Sequence, residues 1–246
     1  PGAEPAGKKL ALPGRPRPLG RLHPITRGRR ELLAIFSEMG FEAASGPDLE
    51  DEFHNFEALN IPANHPARDM HDTFYLNGGG VLRTHTSPVQ IRAMRRRKPP
   101  LAVVAPGRVY RCDADKTHSP MFNQLEGFMV DRDVRMSDLK GVLQQLIRRY
   151  FGEDRPMRMR PSFFPFTEPS AEVDVLWRNA DGREEWLEAL GAGMIHPVVL
   201  RNVGYDPEKV SGFAFGLGID RFVMLKHGIT NIGLLFENDL RLLRQF

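Results

Sequence analysis

Cysteine is almost missing from this 246-residue chain. Cys112 alone leaves no internal disulfide and no multi-cysteine zinc site, which suits a reducing cytosol. Long apolar runs are missing too. No stretch approaches the roughly 18 apolar residues that span a bilayer, and the first residues lack the apolar core of a signal peptide. Neither a heptad run nor an internal repeat is visible. The expectation is a cytoplasmic chain with no membrane partner. Apolar residues make up 41% of it, enough to bury the core of one large domain or two small ones.

Charge is unevenly spread. Residues 1–30 hold eight Lys/Arg against Glu4 alone, a surplus of +7, which leaves −4 on the remainder of a chain whose net charge is +3. A second basic cluster, Arg92 to Lys98, has five cations in seven residues. Such patches on a mildly acidic body point to a polyanion, or simply to a solvated helix end and a tail. Residues 1–21, rich in Pro, Gly and basic side chains and without apolar periodicity, read as a linker or tail ahead of a domain over 22–246.

Within that domain, apolar positions at helical spacing predict a helix over Arg27–Met39 with Gly40 at its C-cap. A short strand over Phe41–Ser45 follows, ended by Gly46-Pro47. Leu82–Ser87 reads as extended and leads into a helix around Pro88–Arg97. Leu101–Arg111 and Gln124–Val130 form a long hairpin around a polar loop. A helix over Leu139–Phe151, a strand over Met157–Phe166, another around Trp186–Leu190 and a short strand Phe213–Phe215 come next. The last strand runs into Gly216 and Gly218 and then a helix, Ile219–His227, stopped by Gly228. Strands joined by hairpins, with few strand–helix–strand units, predict an α+β fold: an antiparallel β-sheet flanked by helices.

Two places carry chemistry. Gly216-Leu-Gly218-Ile-Asp-Arg221 is neither a dinucleotide fingerprint, since Arg221 stands at the third glycine position, nor a P-loop. A strand, two glycines and a helix let a flat ligand lie against backbone, with Arg221 placed to reach a phosphate or stack on a base. A plain tight turn explains the same pattern. In the hairpin, Arg111, Asp113, Asp115, Lys116, His118 and Phe122 suit a phosphate and a stacked ring, or an ordinary polar hairpin.

Taken together, the helix–strand–proline unit ending at Pro47, the arginine hairpin Val104–Val130 and Gly-x-Gly-x-x-Arg follow one another as the three motifs of class II aminoacyl-tRNA synthetases do. His65-Pro-Ala-Arg-Asp69, Arg83-Thr-His-Thr-Ser87, Pro106-Gly-Arg-Val-Tyr-Arg111, Phe163-Phe-Pro-Phe-Thr-Glu-Pro169 and Gly212-Phe-Ala-Phe-Gly216 resemble the bacterial phenylalanyl-tRNA synthetase α-subunit family over about residues 22–246. The resemblance implies the class II catalytic fold. It further implies ATP held by Arg111 and His118 on the α-phosphate and by Phe122, Gly218 and Arg221 around the adenine. Asp113 departs from the usual Arg-x-Glu of the hairpin.

For the amino acid, alternation along strands puts Phe164 with Phe166, Gln124 with Glu126, and His85 with Ser87 on shared faces. A Phe-x-Phe pair is either core or a clamp for a substrate ring. The resemblance favours the clamp, with Glu126, Gln124 and Ser87 on the ammonium of L-phenylalanine, Ala214 and Gly216 as floor, and His85 and Gln90 near the mouth. It also implies a magnesium ion on Glu168, with Glu188 a second choice, although a surface salt bridge explains either glutamate. The implied partners are a β-subunit, in an α2β2 heterotetramer meeting through Arg27–Pro47, and tRNA(Phe). The family's N-terminal coiled-coil arm is expected to be missing here. Two other readings stay open: a class II enzyme for a different amino acid, and a synthetase-like module without catalysis.

Overall fold

The computed structural model describes residues 20–65, 73–112, 119–152, 155–178 and 182–246. Helix α1, Pro24–Glu38, starts three residues before the apolar pattern predicts. Pro24 fits the first turn, and the His23 ring accepts the Ile25 N–H at 3.2 Å. After it come β1 (Glu42–Ala43), β2 (Leu49–Glu50), α2 (Glu52–Asn55), β3 (Val81–Leu82) and α3 (Ser87–Arg96). The hairpin is β4 (Leu101–Tyr110) and β5 (Met121–Asp131), followed by α4 (Met136–Phe151). The remainder is β6 (Met157–Phe164), β7 (Thr167–Arg178), β8 (Glu184–Ile195), α5 (Pro197–Asn202), β9 (Ser211–Gly218), α6 (Ile219–His227) and α7 (Leu240–Leu243).

Seven strands form one sheet in the order β1-β4-β5-β9-β8-β7-β6, while β2 and β3 form a small second one. Every neighbouring pair in the large sheet is antiparallel except β1 with β4, which makes it a mixed sheet at one edge only. Period-two alternation divides its faces. Val104, Leu125, Phe213, Phe215 and Leu217 point to one side and pack under α1, α4 and α6. There Phe36 stacks on Phe215 with ring centroids 5.2 Å apart. Val103, Phe128, Val130 and Ala214 point to the other side, against α3 and α5.

Three sequence expectations change. Gly216 and Gly218 lie inside β9 rather than after it. The strand β7 was not expected at all: Glu168-Pro169 at its start reads as a break, although Ala171, Val173 and Val175 alternate with Glu172 and Asp174 and form a buried apolar face. As a result Phe164 ends β6 and Phe166 sits in the turn before β7, so the two are not alternate residues of one strand. Their rings nevertheless stack, 5.9 Å apart at 9°. His85 and Ser87 share no strand either, because the chain bends at Thr84–Thr86 and Ser87 opens α3.

Candidate functional site

The face of the sheet away from α1 becomes a shallow floor where its side chains shrink. Glu126, Gly216 and Gly191 stand side by side across β5, β9 and β8, and Phe128, Ala214 and Gly193 form the next row. A β-carbon on Gly216 would lie 3.1 Å from Glu126 Cγ, so glycine is what lets the carboxylate lie flat there. A β-carbon on Gly191 would meet the Phe164 ring at 2.9 Å, so that ring lies directly over the floor. Two strand spacings, about 10 Å, separate the Glu126 and Gly191 positions.

Glu126 is buried, at 5% exposure. One oxygen accepts the Thr86 N–H at 3.2 Å; the other accepts Ser87 Oγ at 2.5 Å and Gln90 Nε2 at 2.8 Å. Burial pushes its carboxyl up to about 7, against the pull of those donors and of the Arg111 charge. Three donors leave room for one more on a carboxylate. The expectation of Gln90 and His85 near a pocket mouth is corrected here. Gln90 does not stand at the pocket mouth: α3 begins at Ser87, and one helical turn later Gln90 returns to the same carboxylate. Gln124 was expected beside Glu126, and its Oε1 accepts the same Thr86 N–H at 3.2 Å. His85 is likewise buried rather than at a rim, with its ring 6.3 Å from that of Phe166.

The arginines lie beyond the floor along the strands, past Gln124 and Gly218. Arg111 follows β4; its Nε donates to the Thr84 carbonyl at 3.3 Å and its guanidinium lies over the Phe122 ring at 5.2 Å. Arg221 is exposed in the first turn of α6, and its Nε donates to the Glu188 carbonyl at 3.0 Å. Both ends are thus joined through the Thr84–Ser87 bend. His118 and Asp113 lie outside the described residues, as do Asp115 and Lys116. Glu168 is not brought to the arginines. Its neighbour Thr167 pairs with Ile195, whereas Arg221 touches β8 at Glu188, seven residues or about 20 Å along the strand. Its exposed carboxylate meets His196 Nε2 at 3.1 Å.

Two supporting residues had no assigned role in the sequence. Asn55, fully buried at the end of α2, exchanges hydrogen bonds with Thr84, to Oγ1 at 3.2 Å and from N at 3.3 Å. Arg83 fastens the same bend to β4 and to the loop after β1. The Arg83-Thr-His-Thr-Ser87 run quoted above was the signal for Arg83, whereas Asn55 is tied to it only by the fold.

The family model described as "tRNA synthetases class II core domain (F)" matches residues 8–246, and the chain belongs to that family. Within it, the chain is a member of the phenylalanine–tRNA ligase alpha subunits. That of Xanthomonas oryzae pv. oryzae is 56% identical over 243 residues, covering 98% of this chain and 73% of its own. That of Laribacter hongkongensis is 58% identical over 238 residues, covering 96% and 71%. Among solved structures, the pyrrolysyl tRNA synthetase PylSc of Desulfitobacterium hafniense shares the fold, with a TM-score of 0.63 at 18% identity over 85% of this chain and 70% of its own.

Proposed function

We propose that this chain activates L-phenylalanine with ATP and transfers it to tRNA(Phe), with residues 22–246 as the catalytic domain and 1–21 as a linker. The observation that carries the reading is the buried Glu126 carboxylate, held by Ser87 and Gln90 beside a floor that ends under Phe164. In this reading the substrate ammonium supplies the fourth donor to Glu126, Phe164 and Phe166 grip the ring, and Ala214 and Gly216 form the floor.

The carboxylate of phenylalanine is ionised at pH 7, so the first step needs no general base. One of its oxygens attacks the α-phosphorus in line, and the bond to pyrophosphate breaks. Rate acceleration comes from positioning and from neutralising the phosphoryl oxygens. Arg111, stacked on Phe122 and tied to the Thr84 carbonyl, faces the junction between the two substrates. Arg221 approaches from the opposite side of the floor, with Gly218 beneath the adenine. In the second step a terminal ribose hydroxyl of tRNA attacks the adenylate carbonyl and AMP departs. Cys112 is given no nucleophilic role.

Magnesium prefers several oxygen ligands in octahedral array. Among the described residues, Glu168 offers a single carboxylate already paired with His196, and this chain alone does not make a magnesium site there. No step is assigned to the ion. The partners are the β-subunit in an α2β2 assembly and tRNA(Phe), in the cytoplasm; no helix among the described residues is long and apolar enough to cross a membrane. Phenylalanine-dependent ATP–pyrophosphate exchange, measured with and without the β-subunit across the twenty amino acids, tests the reading. Exchange should be confined to phenylalanine and close analogues; exchange with a polar amino acid instead, or ATP binding without exchange in the complete complex, would sink it.

Specificity gives a second expectation. Ala214 packs with Phe166 in one cluster and stands opposite Gly193. Ala214→Gly should deepen the floor and raise activation of para-chlorophenylalanine relative to phenylalanine by about tenfold. An unchanged ratio in pyrophosphate exchange would remove Ala214 from the pocket.

A further inference from the structure

Asp220 is a charged residue with 2% exposure, one position before Arg221, and the chemistry above leaves it unused. Its place follows from the sheet. Strands β5 and β9 pair from Asp131↔Ser211 to Gln124↔Gly218, where β9 turns into α6. The next residue of β5, Asn123, therefore loses its ladder partner, although its N–H still points to that side. The Asp220 carboxylate takes over: Oδ2 accepts the Asn123 N–H at 2.5 Å and Oδ1 accepts Asn123 Nδ2 at 3.1 Å. A side chain from the first turn of α6 thus continues the sheet where the backbone has left it.

We infer that Asp220 is a positioning residue for the nucleotide, setting through Asn123 the separation between Phe122 and Arg221. The four residues are two adjacent pairs: Phe122-Asn123 on β5 and Asp220-Arg221 on α6. Fixing the inner member of each pair fixes the outer members, which the proposed function places on the two faces of adenine; the inference rests on that reading. The Arg111 guanidinium also lies over the Phe122 ring, so a slip of β5 against α6 would move that ring and Arg111 together. Burial pushes the Asp220 carboxyl up to about 6, and the two Asn123 donors pull it back, so it is ionised at pH 7 and accepts both bonds. Glu126 is held by α3 and the Thr84–Thr86 bend rather than by Asp220, so the amino-acid end is independent of this contact.

Pyrophosphate exchange in the complete α2β2 enzyme separates the two ends. Asp220→Ala should raise the KM for ATP about tenfold or more with the KM for phenylalanine within about twofold, since displacement of a binding group by a fraction of an ångström has effects of this order. Asn123→Ala, which removes one of the two bonds from a half-buried side chain, should act in the same direction by a smaller factor. It decides the matter by the same readout if Asp220→Ala does not fold. An unchanged KM for ATP in either folded variant overturns the inference, and so does a parallel rise of both KM values, which marks a merely structural residue. Arg221→Ala separates this failure from that of the nucleotide reading. If Arg221→Ala raises the KM for ATP and Asp220→Ala does not, only the positioning role falls; if neither does, the assignment of Arg221 falls with it.

Discussion

Glu126→Gln in the complete enzyme is expected to raise the KM for phenylalanine roughly 30- to 150-fold, the equivalent of about 2–3 kcal/mol, and to leave the KM for ATP nearly unchanged. The amide is isosteric and still accepts from Ser87 or Gln90, so the loss isolates the charge presented to the substrate ammonium. The pH profile supplies an independent check. The free carboxyl titrates at about 7, and only its ionised form makes a charge-assisted bond to the ammonium. Wild-type KM for phenylalanine should therefore rise about tenfold for each pH unit below 7 and level off above it. The glutamine variant should show no such limb. A variant that keeps the wild-type slope, or binds phenylalanine as tightly as wild type, would remove Glu126 from the ammonium site.

The same group affects folding in the opposite sense. Its folded-state value of about 7 lies above the ordinary 4.5, so the native state holds an extra proton between those limits. Unfolding free energy consequently falls as pH rises from about 4.5 to 7, by about 3 kcal/mol in all, and changes no further above 7 on this account. Glu126→Gln abolishes that slope, so its melting temperature relative to wild type should increase from pH 5 to pH 8. Bound phenylalanine returns the carboxyl toward its ionised form and should narrow the gap.

How much of this was legible beforehand depended on whether a signal was local. The helix Ile219–His227 was read to the residue, because a glycine at +67° stops it and apolar spacing marks its face. The hairpin strands were legible from β-rich apolar runs, and the pairing of Gln124 with Glu126 from simple alternation. Strand β7 was missed: its apolar face alternates with a face of paired charge, on which Asp174 is held by Arg158 and Arg160, and Glu172 by Arg160. Its period-two alternation over Ala171–Val175 was a legible strand signal, masked by the Glu168-Pro169 break at its start. Phe164 and Phe166 were expected on one face of a strand, whereas a turn brings their rings together. Gln90 was placed at the rim because its bond to Glu126 joins residues 36 apart, which only the packing of α3 on β5 discloses.

Arg83 shows the same limit and carries the largest expected effect on stability. It is 3% exposed, and its guanidinium is fully employed. Nε donates to the Arg108 carbonyl at 2.8 Å, Nη1 to the Gly46 and Pro47 carbonyls at 3.1 Å each, and Nη2 pairs with Asp48 at 3.0 Å. Asp48 in turn accepts the Tyr110 hydroxyl at 3.0 Å. One side chain thus ties the loop after β1 to the end of β4, and its own backbone carries the Thr84–Ser87 bend. Gly107 exists to admit it: a β-carbon there would lie 2.0 Å from Arg83 Nη2. Arg83→Met keeps the apolar stem but removes the donor from three carbonyls and one of two cations from Asp48, which keeps Arg108 at 3.4 Å, a loss of about 3 kcal/mol. For a chain of this length the melting temperature should fall by roughly 10 °C. Because the bend presents Thr86 N–H to Glu126, the KM for phenylalanine should rise as well. Gly107→Ala should be damaging in wild type yet add little in the Arg83→Met background, since the atom it strikes is gone. A melting temperature within 2 °C of wild type for Arg83→Met, on the order of the ~1 kcal/mol expected of an exposed pair, would show that the knot does not hold the site.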